Sequence, residues 1–290
     1  MSLFPLPTQH FILTVSCADQ TGIVAAVSGF LASRDSNILD SSQYSDPESD
    51  RFFIRVHFET PGDGADRADL MTGFAETAEK FGMDWDIHDA NNKPNVLVMV
   101  SREGHCLNDL LYRYRIGTLP VNIPAIVSNH RDFYQLAAWH DIPFHHVPVT
   151  KDSKQSAEDK LIEILETEQV DLVVLARYMQ ILSPKLCELL SGRCINIHHS
   201  FLPSFKGARP YHQAWKRGVK LIGATAHYVT EDLDEGPIIE QEVERVDHRL
   251  TPDQLAAVGQ DIESRVLARA VRWHAEHRVF INGSKTVVFR

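Results

Sequence analysis

The sequence is poor in cysteine and lacks a basic excess, a long apolar run, internal repeats and low-complexity tracts. Its four cysteines, Cys17, Cys106, Cys187 and Cys194, form no CxxC pair and lie far apart. That spacing argues against a zinc site or a disulfide framework and points to reduced, mostly buried thiols. The formal net charge of −10 disfavours a nucleic-acid partner, because binding phosphate backbones needs a basic face that releases counterions. No apolar stretch approaches the roughly 20 residues that span a bilayer, and Met1 to His10 carries no basic residue of the kind that opens an export signal. These absences predict a cytoplasmic protein acting on a small molecule, with no nucleic-acid and no membrane partner.

What is present is organised in two rhythms. At 290 residues and 43% hydrophobic content the chain exceeds the usual single domain and reads as two. From His10 to Cys17 a short apolar strand is expected, then a helix with Ile23, Val27, Phe30 and Leu31 at helical spacing, closed by Arg34. Residues 37–45 read as a weaker strand. Phe52, Ile54, Val56 and Phe58 alternate with Phe53, Arg55, His57 and Glu59, the period of a strand with one buried face. A Pro61-Gly62-Asp63-Gly64 turn leads to a helix carrying Leu70, Phe74, Ala78 and Phe81, and Met83, Trp85 and Ile87 alternate in a last strand. The order βαββαβ predicts a ferredoxin-like domain over residues 1–89, followed by a linker at 90–94.

From residue 95 to 290 apolar strands alternate with amphipathic helices, which predicts an α/β domain with a doubly wound, mostly parallel sheet. Strands are expected at 96–100, 125–127, 144–148, 172–176, 193–195 and 221–228, with helices at 109–116, 132–140 and 157–168. The polar stretch from Asn196 to Pro210 reads as an active-site loop. Thr251-Pro252-Asp253-Gln254 opens a long final helix, with Thr251 able to cap and Gln254 to reach back.

The densest polar cluster is Asn196-Ile197-His198-His199-Ser200, placed after a strand, and ligands of doubly wound sheets sit at the carboxyl ends of strands. A second group, Asp234 within His227 to Gly236, also follows a strand. If those strands are neighbours, an amide donor, an imidazole and a carboxylate converge. Attack on a carbonyl carbon requires such a set: one group to hold the oxyanion, one to move protons and one to set charge. The histidines offer a different reading, a metal site built from His145, His146, His198, His199, His212 and His227. No HExxH or other spaced ligand set supports it, so the expectation is no metal and no cofactor.

The run from Asn196 to Gly207 resembles the NIHxSxLPxxxG segment of the formyltransferase family that uses 10-formyltetrahydrofolate. His227 to Ile239 resembles the same family's HxVxxxLDxGPII segment, and Ala176 to Ser183 its pterin-cradling loop. By that resemblance Asn196, His198 and Asp234 are catalytic, and Met179, Ile181, Leu182, Val229 and Thr230 line the folate pocket. Asp19-Gln20-Thr21-Gly22-Ile23-Val24, with Asn37-Ile38 at the following strand, resembles the ACT domain, a ferredoxin-like module that commonly binds amino acids between paired subunits. The pairing of the two modules is similar to the formyltetrahydrofolate deformylase family. That resemblance implies hydrolysis of 10-formyltetrahydrofolate to tetrahydrofolate and formate, a homo-oligomer, and an amino-acid effector, glycine or methionine. The effector would meet Asp19, the Gly22 turn and Asn37.

Two transferase readings and one of another class compete. A glycinamide ribonucleotide formyltransferase would be expected to carry a glycine-rich phosphate loop after the first strand of the second domain. Here that loop is Ser101-Arg102-Glu103-Gly104-His105-Cys106, with one glycine and an added carboxylate. A methionyl-tRNA formyltransferase is disfavoured by the acidic balance and by the absence of residues for an appended tRNA-binding domain. A non-catalytic folate or amino-acid sensor would have no use for Asn196, His198 and Asp234 together.

Overall fold

The computed structural model describes residues 8–61, 66–202 and 210–290. Gly62 to Gly64 of the expected turn, Pro203 to Gly207 of the first motif and residues 1–7 lie outside them. The chain divides into two compact units. The first comprises residues 1–93, 276–282 and 287–290, and the second residues 94–275 and 283–286. The division at Lys93 and Pro94 falls within the expected linker. Residues 276–282 and 287–290, expected to belong to the second domain, group instead with the first.

The first unit runs β1 (Gln9–Ala18), α1 (Ile23–Ser33), β2 (Asn37–Asp46), β3 (Arg51–Thr60), α2 (Arg67–Phe81) and β4 (Asp84–Asp89), in the expected βαββαβ order. The sheet order is β2-β3-β1-β4, and every pairing in it is antiparallel. Both helices bury their apolar stripes on one face of this sheet, where Ile23, Val27, Leu31, Leu70 and Phe74 meet Leu13, Val15, Ile54 and Val56. Asp66 caps α2 by accepting from the Asp69 N–H, and Gly82 closes that helix in the left-handed region. The alternation in β3 predicts one buried face, yet Phe53 and Arg55 are buried as well. The C-terminal segment is the cause: Phe280 packs edge-on to Phe53, and Arg55 donates to the Glu276 carbonyl. A period-two pattern reports which residues face the helices and is silent on a cover supplied by distant sequence.

The second unit holds β5 (Val96–Val100), α3 (His105–Arg115), β6 (Ile126–Ser128), α4 (Tyr134–Trp139), β7 (Phe144–His146), α5 (Lys154–Thr167), β8 (Leu172–Leu175) and α6 (Pro184–Leu189). It continues through β9 (Cys194–His198), α7 (Pro210–Arg217), β10 (Leu221–Tyr228), β11 (Ile238–Arg245) and α8 (Pro252–Ala275). Two short strands, β12 (Val279–Asn282) and β13 (Lys285–Val288), end the chain. The seven-stranded sheet has the order β11-β10-β9-β8-β5-β6-β7. Strands β5 to β9 are parallel, and β10 and β11 are antiparallel additions. Strands β5 and β8 are buried along their whole length, as covering both faces with helices requires. Thr251 and Gln254 cap α8 reciprocally, with N to Oε1 at 2.9 Å and N to Oγ1 at 3.3 Å. The chain leaves β5 for β6 and β7 on one side and returns to β8 and β9 on the other. This reversal opens a crevice at the carboxyl ends of the parallel strands. Among the described residues no helix is long and apolar enough to cross a membrane.

Candidate active site

The site is assembled by three elements. Strand β9 does not stop at Ile195, as the sequence suggests, but continues to His198, so Asn196 and His198 sit on it two residues apart and share a face. Strand β10 pairs antiparallel with β9 and sets His227 opposite Asn196. The loop after β10 folds back over both strands and delivers Asp234. That return is tight: a Cβ on Gly236 would lie 1.7 Å from the Tyr228 carbonyl oxygen, so the position accepts only glycine. Asp234 itself adopts a left-handed backbone with φ 59°, a conformation that asparagine and aspartate tolerate best after glycine.

The side chains then fix one another. His198 Nδ1 lies 3.2 Å from Asp234 Oδ1. The carboxylate can only accept, so Nδ1 carries the proton and Nε2 is left with a lone pair. His198 Nε2 is buried without a hydrogen-bond partner among the described residues. His227 Nδ1 lies 2.9 Å from the Tyr228 carbonyl, which also only accepts, so the neutral ring presents Nε2 as an acceptor. Asn196 Nδ2 is 3.2 Å from that Nε2. The contact sets the amide orientation and leaves the second N–H of Nδ2 available. Burial by itself would raise the Asp234 carboxyl, but the hydrogen bond from His198 holds it well below the usual carboxylate range. It is therefore an anion at neutral pH, facing an imidazole whose opposite nitrogen is free.

All eight residues assigned to catalysis and folate binding line one cavity of about 240 Å³: Asn196, His198, Asp234, Met179, Ile181, Leu182, Val229 and Thr230. Leu182 is buried, whereas Met179 and Ile181 are exposed at 56% and 64%, an unpartnered apolar rim that a flat ligand can cover. The loop carrying them is pinned from outside the motif. Ser101 Oγ accepts from the Met179 N–H at 3.0 Å and donates to Asn129 Oδ1 at 2.7 Å.

Sequence reasoning missed two groups. His227 falls within a quoted motif, and only pairing with β9 shows that it orients Asn196. Arg177, His199, Tyr211 and Glu263 form a polar cluster beside His198, and nothing in their spacing announces it. Among the described residues one group of potential metal donors, His105, Cys106 and Glu263, gathers within 4.8 Å. Glu263 already meets the Arg177 guanidinium at 3.4 Å, a fixed positive charge that opposes a cation there.

The candidate effector residues do not converge within the chain. Asp19 accepts from Ser45, and Asn37 donates to Glu59 Oε1 at 3.1 Å. Ser45 and Asn37 stand near opposite ends of β2, about 26 Å apart at roughly 3.3 Å per residue. Gly22 caps α1 with φ 100°. A Cβ there would find its nearest contact at 3.8 Å, on Phe81, so the need for glycine comes from backbone conformation and not from crowding.

Fold and site together define a formyl transferase-like enzyme with an appended ferredoxin-like module. The formyl transferase family matches residues 94–271 and the ACT domain family residues 11–70. The formyltetrahydrofolate deformylase of Corynebacterium sp. (strain P-1) is 52% identical over 281 residues, covering 96% of this chain and 98% of its own. A formyltetrahydrofolate deformylase crystal structure from Burkholderia mallei superposes with a TM-score of 0.93 at 53% identity, covering 97% of this chain and all of that one. Glycinamide ribonucleotide transformylase 1 from Symbiobacterium toebii matches less well, with a TM-score of 0.63 and 30% identity over 68% of this chain and 95% of its own. The chain belongs to the formyltetrahydrofolate deformylase family.

Proposed function

We propose that this chain hydrolyses 10-formyltetrahydrofolate by a water attack run by His198, Asp234 and Asn196. His198 Nε2 takes a proton from water as the oxygen attacks the formyl carbon. Asp234 holds the ring in the required tautomer and offsets the imidazolium charge. The free N–H of Asn196 Nδ2 meets the developing oxyanion. On collapse the C–N bond breaks, His198 returns its proton to the leaving nitrogen, and tetrahydrofolate and formate result. Met179, Ile181, Leu182, Val229 and Thr230 hold the pterin ring. No metal or other cofactor is called on. The reaction supplies formate and adjusts the one-carbon folate pool that feeds purine biosynthesis.

The observation that carries this reading is the His198–Asp234 pair, whose free Nε2 lies at the same cavity as the apolar rim. The experiment is tetrahydrofolate formation from 10-formyltetrahydrofolate with and without glycinamide ribonucleotide. Turnover at full rate without the amine is expected; dependence on it would make the protein a transferase.

For the N-terminal unit we infer a cytoplasmic oligomer regulated by an amino acid, with glycine and methionine the first candidates. The turn from Asp19 to Gly22 opens α1, whose first N–H groups have no side-chain cap and no acidic residue in the first turn, an arrangement suited to a ligand carboxylate. Edge strand β2 exposes Ile38, Leu39 and Tyr44, which a second copy would cover. Pairing two copies is also the route by which the Asn37 end of one β2 can approach the turn of another.

A further inference from the structure

His199 occupies a position that the formyltransferase motif leaves open, and its surroundings fix its chemistry. Arg177 Nη1 lies 2.6 Å from His199 Nδ1. A guanidinium only donates, so Nδ1 must be the unprotonated nitrogen and Nε2 must carry the hydrogen. Arg177 Nε lies 3.4 Å from Glu263 Oε2 on α8, an ion pair without hydrogen-bond geometry, and that carboxylate accepts from His105 Nε2 at 2.7 Å and from the Tyr211 hydroxyl at 2.5 Å. The His199 ring stacks on His198, with centroids 4.8 Å apart and planes inclined by 21°. Arg177 has φ 63°, a left-handed conformation in which glycine is unstrained and arginine is not.

We propose that Arg177, anchored by Glu263, is a positioning residue that locks His199 as the neutral Nε2–H tautomer, so that His198 takes up its proton against an uncharged stacked ring. A cationic His199 at that separation would oppose the imidazolium that hydrolysis requires. The charged and titratable groups around His199 are Arg177 after β8, His198 on β9, Asp234 after β10, Glu263 on α8 and the Tyr211 ring on α7. Burial, then Arg177 and His198, push His199 down to about 4, and Glu263 and Asp234 only partly oppose them.

The proposal rests on the role assigned to His198, but its structural half can be tested apart from that role. Imidazole ¹⁵N spectra, with His199 assigned by its loss in His199→Phe, should show the neutral Nε2–H form from pH 5.5 to 8. A protonated ring or an Nδ1–H form at pH 5.5 overturns the lock even if hydrolysis proceeds as described. The kinetic half is the pH profile of kcat/KM. Arg177→Met should let His199 protonate and move the acid limb up by about one pH unit. Arg177→Met/His199→Phe, with a ring that cannot titrate, should return it to the wild-type position. An unmoved limb in the first variant, or no return in the second, contradicts the proposal. If thermal melts show Arg177→Met unfolded by an unpaired Glu263, both variants are compared in a Glu263→Gln background, with the same outcomes deciding.

Discussion

The two units reach their candidate sites by different routes. In the second, adjacent strands and one return loop bring Asn196, His198, His227 and Asp234 to within 3.7 Å of a neighbour, inside one chain. In the first, Asp19 and Asn37 are each engaged with a local partner at different ends of β2. Catalysis needs reacting groups held to a few tenths of an ångström, which paired strands supply. A regulatory site gains by being incomplete until subunits or ligand complete it, because an effector acts only through states that bind it unequally.

That contrast can be broken by substitution. The largest effect is expected for Asp234→Asn, which keeps folate binding but removes the charge that holds and balances His198, a loss on the order of 10²–10⁴ in kcat. Asn196→Ala should cost about 10²–10³ if its amide serves the oxyanion. Near-normal turnover in either variant removes that residue from the site. His227→Phe keeps the volume but frees the Asn196 amide to turn, an indirect loss of about tenfold read as a fall in kcat with KM little changed. In the first unit, Gly22→Val forces a β-branched residue to φ 100° and should abolish the change in formate release produced by an amino-acid panel. A flat response in the wild type would leave this unit a dimerisation module. The smallest effect belongs to exhaustive chelation, expected to leave turnover unchanged; inactivation reversed by one added metal would instead favour a metal-bound water.

How much was legible in the sequence follows from the range of each signal. The βαββαβ order came from local periodicity, and so did β5 and α8. Strand β11 and the extension of β9 through His198 were not legible: five of the eight residues from Ile238 to Arg245 are polar, and Asn196 and His198 interrupt the apolar pattern of β9. The proposed catalytic residues were readable because they cluster within two short motifs. His227 and the Arg177–Glu263 pair were not, since their roles exist only once β9 meets β10 and α8 crosses behind them. Resemblance groups Asn37 with Asp19, and the rise of an extended strand separates them.

In the mechanism proposed for this chain the formyl group leaves to water, in a site complete within the second unit. The most direct test of that step is the reaction of 10-formyltetrahydrofolate in H₂¹⁸O with no amine acceptor present. The wild type is expected to release formate carrying one ¹⁸O per turnover, and Asp234→Asn to form the same labelled product far more slowly. Unlabelled formate, or none until an amine is added, would contradict it.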